Sequence, residues 1–255
     1  MPPDKFNPSD VALFLDVDGT LLDIRDHPND VVADSDLIEV LECCFARLGG
    51  AMSLISGRSI AEVDRIFGPA VFPVAGAHGA ELRVDGGRVA SVASQPLPDT
   101  AVKTLEAFAA KDDGLVLEIK RGGASLHYRK VPALQDECRR AVTALLTDLG
   151  DAYRLIAGKM VFEIAPAAHH KGAAIRALLE RPTFARRMPV FVGDDVTDED
   201  GFHAVNHLAG VSVRVGETGH TEALFQLPDV ASVRQWLRTA ILADQQNLKT
   251  GVKRS

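Results

Sequence analysis

Five consecutive apolar residues, Val11 to Leu15, stop abruptly at Asp16. A run without period-two alternation predicts a strand buried on both faces of a parallel sheet. From Asp34 to Leu48, the residues Leu37, Ile38, Leu41, Cys44, Phe45 and Leu48 recur at helical spacing, and Gly49-Gly50 ends the pattern. A strand over Met52 to Ile55 follows, then a helix whose start carries the capping-box pair Ser59 and Glu62. Val71 to Ala75 reads as a further strand in spite of Pro73. The alternation resumes after residue 170. A helix opens at Lys171 with Ile175, Leu178 and Leu179, then come a strand at Val190 to Val192, a helix from Asp198 to Asn206 and a strand from Val211 to Val215. Strands alternating with helices imply a parallel sheet covered on both faces, with ligands at the carboxyl ends of its strands. Asp16, Ser56 and Asp194 fall at such ends.

The middle of the chain has a different rhythm. A helix over Thr100 to Ala110 precedes strands Leu115 to Lys120 and Ala124 to Arg129 around Arg121-Gly122-Gly123. A helix over Ala133 to Asp148 precedes strands Tyr153 to Ala157 and Met160 to Ile164 around Gly158-Lys159. The repeated helix–hairpin unit predicts a small antiparallel sheet backed by two helices. Met160, Phe162 and Ile164 alternate with Val161 and Glu163, as on a sheet with one covered face and one free face. The expected fold class is α/β: a Rossmann-like three-layer core with a parallel sheet, from residues 1–97 and 166–255, plus an inserted α+β cap domain over residues 98–165.

Composition narrows the function classes. With 28 Lys and Arg against 35 Asp and Glu in 255 residues, the net charge of −7 argues against sequence-independent nucleic-acid binding. It allows a small anionic substrate, because a local cation or metal can reverse the field inside a cleft. Cys43, Cys44 and Cys138 suit neither a disulfide framework nor a zinc site. A cytoplasmic location without membrane contact is expected, since no run of about 18 apolar residues occurs and the first residues lack a signal-peptide core. The polar stretch from Gln245 to Ser255 is expected to be disordered.

The chemistry gathers in four segments. Asp16-Val17-Asp18-Gly19-Thr20 sets two carboxylates just past a buried strand, where they repel unless a cation compensates. A hard divalent ion does so, and Mg²⁺ commonly takes one or two carboxylates plus a substrate phosphate. Asp is also a nucleophile in aspartyl-phosphate chemistry. Gly19 permits a sharp turn, and Thr20 can offer a hydroxyl and an N–H to phosphate oxygens. Ser56-Gly57-Arg58 ends a strand before a helix and can bind an anion there, although it is also an ordinary turn. Lys171 stands at a helix N-terminus, where the macrodipole opposes a cation, so local stability does not explain it. In Gly193-Asp194-Asp195-Val196-Thr197-Asp198-Glu199-Asp200, Thr197 is the expected N-cap and the acids after it suit a first helical turn. The cap leaves Asp194 and Asp195 unexplained, and they read as metal ligands or supports of one.

In this order, the four segments resemble the haloacid dehalogenase superfamily of aspartate-nucleophile phosphatases. Leu54 to Ser59, Gly76-Ala77-His78-Gly79-Ala80-Glu81, Leu126-His127-Tyr128-Arg129 and Val192 to Glu199 further resemble its trehalose-6-phosphate phosphatases, from about Phe14 to Trp236. The resemblance implies Asp16 as nucleophile, Asp18 as acid and base, and Ser56 and Lys171 as holders of the phosphoryl group. It implies Mg²⁺ on the Asp16 carboxylate, the Asp18 carbonyl and Asp194, with Asp195 and Asp198 acting through water or from behind. It also implies a phosphorylated disaccharide as substrate, read by Arg58 and His78 near the core and by Lys120, Lys159 and Glu163 in the cap. A sucrose-phosphate or glucosyl-phosphoglycerate phosphatase with a similar cap stays open as an alternative. A response-regulator receiver has about half this length and sets its acid pair and phosphorylated Asp on different strands. A catalytically dead sugar binder would be expected to lack a carboxylate or Lys171.

Overall fold

A computed structural model describes residues 1–24, 31–68, 72–84, 90–91, 96–120, 122–158, 160–217 and 219–242. Lys159 and the tail from Gln245 lie outside the described residues, as does Val71. The chain divides into two units, Met1–Val92 with His170–Ser255, and Ala93–His169.

The first unit is built on strands β1 (Val11–Leu15), β2 (Met52–Ile55), β3 (Val74–Gly76), β4 (Glu81–Arg83) and β5 (Ala90–Ser91) from its first segment. Helices α1 (Ser35–Arg47) and α2 (Ile60–Phe67) lie between the first three. All five residues of β1 are buried, as an unalternated apolar run requires. Asp34 caps α1 by accepting from the Leu37 N–H at 2.8 Å. Ser59 and Glu62 close the expected capping box on α2, an arrangement that contributes about 1 kcal/mol. The strand expected at Val71 to Ala75 forms instead at Val74–Gly76. Pro73 cannot donate to the ladder, but its carbonyl accepts from the Leu54 N–H at 3.0 Å.

The second unit contains α3 (Asp99–Ala109), β6 (Val116–Lys120), β7 (Gly123–His127), α4 (Gln135–Leu149), β8 (Tyr153–Gly158) and β9 (Val161–Pro166). Its antiparallel sheet runs β6-β7-β9-β8. Ala124, Leu126, Phe162 and Ile164 are buried in one cluster with Ala101 and Leu105 of α3 and Val142 and Leu145 of α4. The opposite face is more polar, with Glu118, Lys120, Ser125, His127, Arg154 and Glu163 beside Val116, Ile156 and Val161. Across it the register aligns Glu118 with Ser125, and Ser125 with Glu163.

The first unit resumes with α5 (Lys171–Leu179), β10 (Met188–Gly193), α6 (Glu199–His207), β11 (Val211–Val215), β12 (Phe225–Leu227) and α7 (Val230–Ala240). The completed sheet runs β12-β11-β10-β1-β2-β3-β4-β5, parallel from β12 to β3. β4 and β5 add antiparallel. Strand order reverses between β1 and β10, the place where open parallel sheets bind ligands. Among the described residues, no helix is long and apolar enough to cross a membrane.

Candidate active site

The site begins with strand register. β1 pairs with β10 from Val11–Met188 to Leu15–Val192, and the Asp16 N–H continues the ladder to the Val192 carbonyl at 2.9 Å. Asp16 and Asp194 therefore leave neighbouring strands side by side. One oxygen each of Asp16, Asp194 and Asp198 lies within 4.8 Å of the others. Asp16 is 4% exposed and Asp198 is fully buried, so their charges have little water to share.

Lys171 is the compensating cation, itself 3% exposed. Its Nζ donates to Asp16 Oδ1 at 2.7 Å and to Asp198 Oδ1 at 2.6 Å. It reaches both because α5 and α6 approach closely at Gly172, where a Cβ would stand 2.3 Å from the Asp200 carbonyl oxygen. The other Asp198 oxygen accepts from the N–H groups of Asp194 at 3.1 Å and Asp195 at 2.9 Å, which fixes the turn after β10. Gly193 makes room for that carboxylate, since a Cβ there would stand 2.3 Å from Asp198 Cγ.

The electrostatics follow from burial and an unequal charge count. Burial alone would pull the Lys171 ammonium down, but Asp16 and then Asp198 push it well up, so it stays charged. Burial raises Asp16 far above the ordinary carboxylate range, and Lys171 only partly opposes this. Burial also raises Asp198, again against Lys171. Burial and the Asp198 charge push Asp194 up to about 7. Three carboxylates around one ammonium leave an excess of negative charge that a divalent cation with oxygen ligands offsets. The donor set fits such an ion.

This gives a pH-dependent expectation. Between its ordinary value and about 7, folded Asp194 holds a proton that the unfolded chain has released. The metal-free protein should therefore lose stability as pH rises through about 7, while a cation takes the place of that proton. At about pH 8 a divalent metal at about a hundred times its Kd should raise Tm by about 5–10 °C, with a smaller rise at about pH 5.5. Gly19→Ala should abolish the response. Gly19 has φ +80°, and a Cβ there would meet Asp194 Oδ2 at 2.0 Å. Differential scanning fluorimetry reads both outcomes, and equal rises at the two pH values would refute the assignment.

The remaining expected residues separate into those the fold gathers and those it does not. Asp18 lies two residues beyond Asp16, and its carboxylate takes a forked pair of hydrogen bonds from Arg58, at 2.6 and 2.7 Å. That pairing raises the guanidinium further. Ser56 is buried, and its Oγ accepts from the Arg58 N–H at 3.1 Å. The Val17 carbonyl accepts from the Leu21 and Leu22 N–H groups, and the Gly19 N–H donates to the Leu22 carbonyl at 2.7 Å. The Thr20 hydroxyl lies 3.5 Å from Asp194 Oδ1. The N-cap after β10 is Asp195 and not Thr197. Asp195 is exposed and its carboxylate accepts from the Val196 N–H, while Thr197 is buried within the 3₁₀ turn Val196–Asp198. In the second unit, Glu163 Oε2 accepts from Lys120 Nζ at 2.7 Å and from Ser125 Oγ at 2.9 Å.

Two further residues shape the surroundings of the site. His170, just before Lys171, caps α5 by accepting from the Ala173 N–H at 3.3 Å. Glu81 Oε2 accepts from the Ile60 N–H at 2.8 Å, at the first turn of α2. Between them lies a strained turn. Ala77 and His78 have φ of 48° and 55°, and Gly79 follows at 100°. A left-handed non-glycine residue costs about 1–3 kcal/mol and persists only where its surroundings enforce it.

The sequence profile described as Trehalose-phosphatase matches residues 14–231. The chain belongs to the trehalose-phosphatase family. It is 40% identical over 239 residues to the trehalose-6-phosphate phosphatase of Escherichia coli strain K12, covering 92% of this chain and 88% of that one. It is also 40% identical over 224 residues to a probable trehalose-phosphate phosphatase of Sinorhizobium fredii, covering 88% and 84%. The C-terminal domain of the Candida albicans trehalose-6-phosphate phosphatase shares the fold at a TM-score of 0.76 and 20% identity, over 93% of this chain and 98% of that one. The Aspergillus fumigatus trehalose-6-phosphate phosphatase superposes at a TM-score of 0.67 and 26% identity, over 90% and 91%.

Proposed function

We propose that this chain hydrolyses trehalose 6-phosphate to trehalose and phosphate, with Asp16 as nucleophile and Mg²⁺ as its metal. The observation that carries the reading is the group of buried Asp16, Lys171 and Asp198 with half-buried Asp194, in a chain of this family. Lys171 holds Asp16 in place and favours its ionised form against burial, and a bound divalent cation would add to that charge. An Asp16 oxygen forms a bond to phosphorus as the bond from phosphorus to the sugar oxygen breaks, giving an aspartyl-phosphate. Once substrate draws Arg58 away from its fork, Asp18 takes a proton from solvent and gives it to the departing sugar oxygen. It then takes a proton from the water that attacks the phosphoryl group, which releases phosphate and restores Asp16. Ser56 and Lys171 hold the phosphoryl oxygens in line, so their contribution is position and charge. The Asp16 carboxylate, the Asp18 carbonyl and Asp194 would hold Mg²⁺, which when bound neutralises charge on the phosphoryl oxygens. Asp198 supports the group through Lys171 and the turn after β10.

Substrate choice falls to groups that meet sugar hydroxyls. Arg58 is one. Lys120, Lys159 and Glu163 of the second unit are others; Lys120 and Glu163, which are described, lie on its polar face, where the Lys120 and Ser125 contacts hold the Glu163 carboxylate in one orientation. A site built to hydrogen-bond a substrate discriminates strongly against an analogue that leaves its polar groups unpaired. With Mg²⁺, trehalose 6-phosphate should exceed glucose 6-phosphate and sucrose 6-phosphate in kcat/KM by about a hundredfold or more. Equal, slow turnover of all three would sink the substrate assignment and leave the phosphatase chemistry standing.

A further inference from the structure

The turn Ala77–Gly79 is joined to the phosphate-facing loop on one side and to the lysine helix on the other. The Ala77 N–H donates to the Arg58 carbonyl at 2.7 Å, and the His78 N–H donates to the Ser56 carbonyl at 3.0 Å. The His78 ring lies flush on Gly57, so that a Cβ there would stand 2.7 Å from Cε1 and 2.8 Å from Nε2. Behind the ring, a Cβ at Gly79 would stand 3.2 Å from Ala174 Cβ and 3.3 Å from the His170 carbonyl oxygen, both on the first turn of α5 or its cap. The left-handed backbone at Ala77 and His78 is thus enforced from two sides. Histidine is among the few residues with a side chain that visit this region readily.

We propose that His78 is a positioning residue for the loop Ser56-Gly57-Arg58 and makes no contact that selects the sugar. The inference rests on the phosphatase reading of the site. The ring blocks motion of Gly57, and the two backbone bonds hold the carbonyls on either side. Together they set the Ser56 hydroxyl and the Arg58 fork on Asp18. A residue acting this way serves every phosphate ester alike. A sugar contact would serve only the disaccharide.

The test compares trehalose 6-phosphate with p-nitrophenyl phosphate, whose leaving group has no sugar hydroxyls. His78→Ala should lower kcat on both esters about tenfold or more, with KM for trehalose 6-phosphate changed less than about threefold, as expected for lost alignment. His78→Asn, which tolerates the left-handed backbone, should keep the fold and lose less. Gly57→Ala should be at least as damaging as His78→Ala, and the double variant should recover activity relative to Gly57→Ala because the colliding ring is gone. A tenfold rise in KM for trehalose 6-phosphate with p-nitrophenyl phosphate hydrolysis untouched would overturn the proposal, as would a Gly57→Ala defect that persists without the ring. Should the wild-type protein cleave p-nitrophenyl phosphate and spare trehalose 6-phosphate, the substrate reading fails. The His78 comparison on the small ester still stands in that case.

Discussion

Asp16→Asn should lower phosphate release by at least about 10⁴-fold while leaving the protein folded. Asn is nearly the same size and accepts from Lys171 as Asp does, so the geometry at 2.7 Å can persist without the attacking charge. The stability consequence runs opposite to the activity loss. Burial holds Asp16 well above the ordinary carboxylate range, so its ionisation costs folding free energy that grows as pH rises toward its folded-state value. Asn has no such cost. Without metal at about pH 8, the variant should melt at or above the wild-type temperature, and added metal should raise its Tm less. Phosphate-release assays and fluorimetry on the same preparation read both. Residual turnover above about one part in a hundred from folded variant would move the nucleophile elsewhere.

Lys171→Met should damage both activity and fold. Methionine fills a similar volume but leaves Asp16 and Asp198 buried against each other, and breaking a buried ion pair typically costs about 3–5 kcal/mol. For a chain of this size that is a fall in Tm of about 6–20 °C. Turnover should drop about 10³-fold, the scale of losing a preorganised donor to the transferring group. The Tm deficit should shrink as pH falls, because carboxylates already raised by burial take up protons in place of the missing ammonium. Lys171→Arg is not expected to rescue, since a forked guanidinium cannot occupy a fully enclosed point between two oxygens at 2.7 and 2.6 Å. An unchanged Tm and rate in Lys171→Met would show the cluster to be incidental.

What could be read from the sequence was the chemistry that a short segment states by itself. A buried strand ending in Asp-x-Asp, an acidic run after a second such strand, and the Ser59–Glu62 box are local, and each formed where expected. The alternation in Met160 to Ile164 likewise anticipated Phe162 and Ile164 turned inward and Glu163 turned to the polar face. Long-range pairings were not legible. That Asp198 grips Lys171 depends on α5 and α6 closing over Gly172, and that Arg58 forks onto Asp18 depends on the register of β1 with β2. The cap after β10 went to Asp195 because its carboxylate lies beside the free N–H of Val196, whereas propensity favours Thr197 almost equally. The Val74–Gly76 strand shifted because ladder bonds decide a boundary and Pro73 could supply only a carbonyl.

The placement of β1 between β2 and β10 has a consequence for how the chain is made. β1 leaves the ribosome long before one of its two neighbours, β10, which ends only at Gly193. At ordinary synthesis rates, roughly ten to forty seconds separate the two. Throughout that interval the most apolar strand of the nascent protein has an unpaired edge, the kind of edge that recruits other strands. The acid after β1 likewise waits for Lys171 and Asp194. Closure of the sheet and assembly of the carboxylate–lysine group are therefore one late event, and a nascent chain halted before Met188 can be neither fully folded nor active.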